Sequence, residues 1–510
     1  MLESLENSLS EFSKVNVWDS PCGSGKTSAM IWKINNEFED EKIFYVTPYL
    51  DEVNRVIKNC KKRHFVEPHI SKVVLEDGTE IWNKSNALLD LVRRGRNICT
   101  THALLSNISD ELIEALRSGN YVLILDEVFE VVKEYKSSSW GKVRPTSEER
   151  ARNDIKKVMD MFIHHGAVTI DENTMAVVWH QDKADEAKVE QDRYEDVIRM
   201  AKRGLLYYIS NSIVYWSFPI ELFRDIFSQT YILTFMFEGQ IQAAYYRYHG
   251  LRYEKWHPIK DIVNGEFVYT VHLTTDDEFE RSWIRSVRNR IEIVEKESIN
   301  RIGSKYYDNG WQMTSLSWTW FQRELEKENG IGEIEVLGRN AQNFFNNVAI
   351  DKDAGSRMWA VFLDAQESIM KGNPLLSKNG FVPIGTRAVN DFADRTALAY
   401  MVNRYYQPYI KTFFSKRDVK IDEDYWALSD LVQWVWRSNI RVTEIYEMIT
   451  YKKKSKKNKK IDKEDPEKFD KERNREIKEK KWVEPKNIQI YIPSERMRTL
   501  FCDYLWFDEN

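Results

Sequence analysis

Residues 18 to 30 read WDSPCGSGKTSAM, which places two glycines, a lysine and a hydroxyl residue within five positions. Backbone N–H groups of Gly23, Ser24 and Gly25 can converge there on phosphate oxygens that side chains would keep away. Lys26 adds a point charge, and the Thr27 hydroxyl can hold Mg²⁺. About a hundred residues later YVLILDEVFEVV ends an unbroken apolar run, Tyr121 to Leu125, on Asp126 and Glu127. Asp126 suits the water shell of the metal, and Glu127 suits orienting and deprotonating an attacking water. Taken alone, the first stretch also reads as a glycine-rich turn and the second as a strand ending in solvated acids. Together they read as two halves of one nucleotide site. A third group lies in YWALSDLVQWVWRSNIRVTEIY, where Gln433, Arg437 and Arg441 stand four apart. On one helix they share a stripe, and two arginines there can neutralise charge on a terminal phosphate as its bond breaks.

These groups need a scaffold that brings loop ends together. Val15 and Val17 precede the glycine turn, and Ala29, Ile31, Trp32 and Ile34 can line a helix after it, so the local order is strand, loop, helix. KIFYVTPYLDEVNRVI, NICTTHALL and QTYILTFMFEG supply further strands, each ending on polar residues: Thr47 with Pro48, Thr101 with His102, and Thr234. Strands alternating with helices predict an α/β fold with a parallel sheet, where ligands sit beyond the carboxyl ends of the strands. Two stretches break the pattern. Residues 134–213 read as an insertion of charged helices around the short strand AVVWH. Residues 451–482 are nearly all charged, opening on a cationic block, and read as a disordered or solvent-exposed helical excursion, either a simple solvated loop or one whose lysines add salt-sensitive attraction to phosphates. NIQIYIPSERM then returns to complete a second sheet. In GTRAVNDF, Thr386 and Arg387 follow the strand FVPI and precede a helix with Leu398, Met401, Val402 and Tyr405 on one face.

At 510 residues the chain is long enough for several domains with separate cores. No apolar run approaches the ~20 residues of a membrane span, and the acidic, polar MLESLENSLSEF lacks the character of a secretion signal, so a cytoplasmic location is expected with no membrane partner. The four cysteines are dispersed, without a CxxC pair, and read as reduced thiols rather than a zinc site or a disulfide framework. A net charge of −5 argues against indiscriminate coating of nucleic acid but leaves room for a local basic groove.

SPCGSGKTS, YVTPYLDE, CTTHALL, LILDEVFE, YILTFMF and QWVWRSNIR follow the order of the motifs of superfamily 2 helicases of the DEAD/DEAH-like kind, which the chain resembles from about residue 15 to 502. RMWAVF, FVPIGTRAVNDFADRTALAYMVNRY and IYIPSERMRTLF resemble the later blocks of phage-type members. The resemblance implies two tandem RecA-like P-loop domains, 1–240 and 241–510, with helical insertions, ATP and Mg²⁺ in the cleft between them, and a single strand of nucleic acid across both, DNA favoured over RNA. Gly23, Ser24, Gly25, Lys26 and Thr27 would bind phosphate, Thr27 and Asp126 the metal, and Glu127 the water. Thr47, Pro48, Thr101, His102, Thr386 and Arg387 would meet the strand, Thr234 would couple the two events, and Gln433, Arg437 and Arg441 would sense the γ-phosphate. Ser20 stands where the first loop motif has glycine, and Trp436 where the last motif has one; the final arginine comes one position late. Arg441, with Arg437 beside it, is the expected finger. The implied activity is a nucleic-acid-stimulated ATPase, in the host cytoplasm if phage-encoded, with replication or recombination proteins as candidate partners. A duplex translocase that never separates strands, a P-loop phosphotransferase and a non-enzymatic clamp are the alternatives.

Overall fold

The run YVLILD forms a strand in which all six residues are buried, as expected for a strand covered on both faces. It lies inside an eight-stranded sheet in a computed structural model that describes residues 13–69, 71–74, 80–105, 108–135, 148–189, 194–304, 315–327, 332–385, 391–451 and 477–508. The strands of this sheet are β1 (Val15–Asp19), β2 (Lys42–Thr47), β3 (Phe65–Val66), β4 (Asn97–Thr101), β5 (Tyr121–Asp126), β6 (Gln229–Thr234), β7 (Glu254–Val263) and β8 (Glu266–Leu273). Their spatial order is β8-β7-β1-β6-β5-β2-β4-β3, with every pairing parallel except the β7–β8 hairpin.

Side chains alternate across this sheet, and the two faces build separate cores. Ile43, Tyr45, Val122 and Ile124 pack with Ala29, Met30 and Ile34 of helix α1 (Lys26–Asn36) and with Val53 and Val56 of helix α2 (Leu50–Asn59). Phe44, Val46, Tyr121, Leu123 and Leu125 face the other way, toward Leu88, Leu116, Tyr245 and Tyr246. The period of two along β2 and β5 sets this division.

The chain divides into two units, Met1–Asp277 with Tyr406–Trp426, and Glu278–Tyr405 with Ala427–Asn510. The first division falls at Asp277 rather than 240 because β7 pairs with β1 and carries β8 with it. Residues 406–426 belong to the first unit because Tyr406, Ile410, Phe413 and Phe414 enter its core, the Phe413 ring lying 4.6 Å from that of Trp216. In the stretch expected as an insertion, Ile155, Met159, Phe162, Val197 and Ile198 form a satellite core with Tyr135, Leu206 and Ile213.

The second unit has a four-stranded parallel sheet of β9 (Ile291–Ile293), β10 (Arg357–Ala360), β11 (Ala397–Tyr400) and β12 (Ile488–Tyr491), in the order β9-β12-β11-β10. The expected α/β class with parallel sheets in tandem is therefore the observed one, and NIQIY does complete the second sheet. The helix expected over Leu398 to Tyr405 is instead β11, followed by irregular chain through Met401, Val402 and Tyr405. All four β11 residues are buried, and its backbone groups are taken by β10 and β12. Most of the charged excursion, 452–476, lies outside the described residues; its flanks form the antiparallel pair Tyr446–Tyr451 and Ile477–Val483. Among the described residues, no helix is long and apolar enough to cross a membrane, and none of the four cysteines is joined in a disulfide.

Candidate nucleotide site

The turn between β1 and α1 takes its shape from two glycines in the left-handed region, Gly23 at φ +89° and Gly25 at φ +90°. A side chain at either position would be strained, and Gly25 begins the helix directly, its carbonyl accepting from Ala29 N at 2.8 Å. Ser20, at the position where glycine was expected, is fully buried, and its N–H donates to the Thr234 carbonyl at 3.1 Å. The loop therefore does not need glycine there. The Lys26 ammonium folds back over the loop and donates to the carbonyls of Ser20 and Pro21.

Strand register brings the remaining groups to this loop. Asp19 pairs with Thr234, Leu233 with Asp126, Val46 with Leu125, and Thr47 with Thr101. The carboxyl edge thus presents β1, β6, β5, β2 and β4 side by side, each ending on a residue singled out from the sequence or, for β1, in the loop itself. Thr27 Oγ1 lies 3.1 Å from Asp126 Oδ2 and donates to that carboxylate; the Tyr45 hydroxyl donates to the same oxygen at 3.2 Å. Burial above all, with the nearby charges of Glu127 and Glu52, brings the Asp126 carboxyl up to about 7 against the opposing pull of the Thr27 hydrogen bond. Glu127 adopts φ +74°, donates its N–H to the Leu233 carbonyl at 2.9 Å, and has a buried Oε2 without a hydrogen-bond partner. Thr234 Oγ1, buried between the loop strand and the acidic strand, also has none.

An oxygen-only donor set of one hydroxyl and one carboxylate, whose negative charge is disfavoured by burial and by the neighbouring acids, fits a hard divalent cation such as Mg²⁺. Among the described residues, no three His, Cys, Asp or Glu side chains cluster as a self-sufficient metal site, so phosphates would have to complete the shell. Asp19, at the end of β1, accepts from Phe237 N at 3.1 Å, and burial raises its carboxyl against the pull of that bond, Lys255 and Lys26.

The other expected residues are placed as follows. Thr47 is fully buried and uses its hydroxyl on the Tyr49 backbone, donating to the carbonyl at 2.9 Å, so it shapes the turn into α2. Pro48, Thr101 and His102 are partly exposed along the same edge, and the His102 ring lies 4.5 Å from that of Phe129. In the second unit, Gln433 is buried in the last turn of helix α3 (Glu423–Val435). Arg437 and Arg441 are not on that helix, contrary to the four-residue spacing. α3 stops at Val435, and Ser438 caps a separate short turn, Asn439–Arg441, by accepting from Ile440 N. Asn439 anchors this turn through Nδ2 to the Ala393 and Glu484 carbonyls, both at 3.0 Å. Thr386 and Arg387 lie outside the described residues.

Sequence reasoning missed Tyr45, Glu52 and Arg55. Tyr45 shares a sheet face with Asp126, which the period of two reveals once β2 and β5 are known to be neighbours. Glu52 and Arg55, 3.1 Å apart on α2, carry no local signal that would distinguish them from a solvated pair.

Comparison with known proteins adds a family. Residues 285–460, within the second unit's first stretch and beyond, match the YonV C-terminal Rossmann-like domain. The SPbeta prophage-derived protein YonV of Bacillus subtilis (strain 168) is 30% identical over 495 residues, spanning 96% of this chain and 98% of that protein. A solved structure of Xpd4 from S. tokodaii covers 98% of this chain and 96% of its own at 11% identity and a TM-score of 0.42, too distant to carry an argument. Since the likeness to the prophage protein runs almost from end to end and takes in both units, this chain belongs to the YonV family.

Proposed function

We propose that the chain is an ATP-dependent nucleic-acid motor, a helicase or translocase that hydrolyses ATP at the carboxyl edge of the first unit's sheet and moves along a single strand, DNA in preference to RNA. The observation that carries this reading is the 3.1 Å approach of the Thr27 hydroxyl to the Asp126 carboxylate, beside a loop shaped by Gly23 and Gly25. It joins the phosphate loop to the acidic strand within one unit.

In this reading the N–H groups of Gly23, Ser24 and Gly25 receive phosphate oxygens, and the Lys26 ammonium leaves the Ser20 and Pro21 carbonyls for the β- and γ-phosphates. Thr27 and Asp126 would hold Mg²⁺, which would supply charge neutralisation at the phosphates. Glu127 orients the attacking water and accepts its proton through the carboxylate oxygen left unpartnered in the protein. Thr234 stands between the loop strand and the acidic strand, where a shift in either reaches it, so coupling is assigned to it. Pro48, Thr101 and His102, with Thr47 shaping their edge, are assigned to the nucleic-acid strand together with Thr386 and Arg387. Gln433, Arg437 and Arg441 are assigned to the γ-phosphate on the strength of motif order.

The test is ATP turnover with no polynucleotide, with single-stranded DNA, with single-stranded RNA and with duplex, in wild type and Glu127→Gln. Single strands are expected to stimulate strongly, and the variant to bind ATP without turning it over. Equal turnover with and without polynucleotide removes the motor and leaves a simple phosphohydrolase or phosphotransferase.

A further inference from the structure

The hairpin β7–β8 rises beside the phosphate loop. Trp256 of β7 pairs with Trp18 of β1, so residues 258–263 continue past the end of β1 by roughly 20 Å of strand, with the return strand alongside. The turn at Asn264 and Gly265, both in the left-handed region, suits a tight two-residue connection. Directly opposed residues share a face, so Lys260 with Tyr269 and Ile262 with Phe267 lie on one side. That side looks at the start of α1. The Tyr269 ring edge is 3.7 Å from where a Gly25 Cβ would stand, and its centroid is 6.3 Å from that of Trp32. The Ser28 hydroxyl, one turn before Trp32 on the same helix, accepts from Arg55 Nη2 at 3.3 Å. Further out, Phe267 is 55% exposed and Ile262 68% exposed, while Lys260 Nζ sits 3.6 Å from the Phe267 ring centroid.

The geometry gives the phosphate loop a polarity. Lys26, Asp126, Glu127 and Thr234 gather at one end, the end for the γ-phosphate. Gly25, Ser28 and Tyr269 gather at the other, where the α-phosphate would meet the first turn of α1 and the nucleoside would leave. We propose that this face of the hairpin is the nucleoside subsite: Tyr269 lies along the ribose, and Phe267 with Ile262 forms the platform on which the base stacks. The proposal rests on the reading that the loop binds a nucleoside triphosphate. It accounts for two large apolar side chains, Ile262 and Phe267, held in solvent on the hairpin face that also carries Tyr269. The platform acts through the ring face, and inorganic triphosphate has no such face to offer.

The experiment compares ATP with inorganic tripolyphosphate, each with Mg²⁺, by calorimetric titration of the full chain in wild type, Phe267→Ser, Tyr269→Ala and Lys26→Ala. Base–aromatic stacking predicts that Phe267→Ser and Tyr269→Ala weaken ATP about 5- to 100-fold while tripolyphosphate affinity stays within about twofold. Lys26→Ala is expected to weaken both ligands. Retained tripolyphosphate binding also shows that each hairpin variant is folded at the loop. Wild-type ATP affinity in both hairpin variants overturns the subsite and leaves the nucleotide reading standing. Equal loss of both ligands overturns it as well, since the hairpin would then only support the loop. A wild type that takes neither ligand removes the nucleotide reading and the subsite with it.

Discussion

Asp126→Asn should make this protein more stable at alkaline pH while abolishing its proposed chemistry. In the folded chain the Asp126 carboxyl takes up its proton at about 7, against an ordinary value of 3.8. Between those two values the folded state holds more protons than the unfolded one, so stability is fully present below 3.8 and is lost as pH rises through 7. The loss amounts to about 4 kcal/mol, at roughly 1.4 kcal/mol for each pH unit of displacement. Asparagine carries no charge to bury. Its oxygen can accept from one of the two hydroxyls, Thr27 or Tyr45, and the other hydroxyl can turn to accept from its amide, at a cost of about 1 kcal/mol for the weaker bonds. The variant is therefore expected to gain about 3 kcal/mol over wild type at pH 8 and almost nothing at pH 4. Differential scanning calorimetry at a series of pH values reads this as a Tm gain of about 6 °C or more for the transition of the first unit, vanishing in acid. Parallel Tm curves for wild type and variant would refute the claim that a buried, unbalanced carboxylate sits at this strand end. Mg²⁺ with a non-hydrolysable triphosphate should flatten the wild-type curve, because it supplies the missing counter-charge.

The other predictions concern the second unit. Gly303→Ala places a Cβ 2.2 Å from the Pro493 carbonyl oxygen and 2.4 Å from its carbon, backbone atoms that cannot swing aside, so a loss of about 3 kcal/mol is expected in urea unfolding followed by tryptophan fluorescence. Unchanged stability would mean that this close approach is absent in solution. Arg437 is 5% exposed and Arg441 is partly exposed on its short turn, so the two alanine variants should separate. Arg437→Ala is expected to lower both Tm and single-strand-stimulated turnover. Arg441→Ala should leave Tm unchanged and lower turnover about a thousandfold if it is the finger. Full activity in Arg441→Ala takes that role from it.

The site was most legible where local chemistry is dictated by the backbone. Gly23 and Gly25 occupy angles that only glycine adopts without strain, and the run Tyr121 to Asp126 is buried on both faces, so the glycine turn and the acidic strand could be read directly as elements of the fold. The four-residue spacing of Gln433, Arg437 and Arg441 misled because periodicity does not mark where a helix stops. The capping signal was the Ser438-Asn439 pair, which starts a new turn. Leu398 to Tyr405 misled for another reason: a short apolar run fits a helix face and a buried strand equally, and only pairing with β10 and β12 decides between them. The Asn264-Gly265 turn between alternating residues was a readable hairpin signal, and following it would have carried the first domain to Asp277. That Tyr406–Trp426 belongs to the first unit had no local signature, since its phenylalanines would suit any core.

That return segment has a consequence for biosynthesis. Phe413 and Phe414 seal Trp216 and Tyr207 in the first unit's core, yet they leave the ribosome only after the intervening stretch Glu278–Tyr405 has been made. A nascent chain halted before them holds an aromatic face open to the cytosol, which invites chaperone capture or clumping. Cutting the gene at residue 277 to obtain the first unit alone would reproduce that stalled state permanently, and supplying residues 406–426 as a separate peptide should restore its solubility.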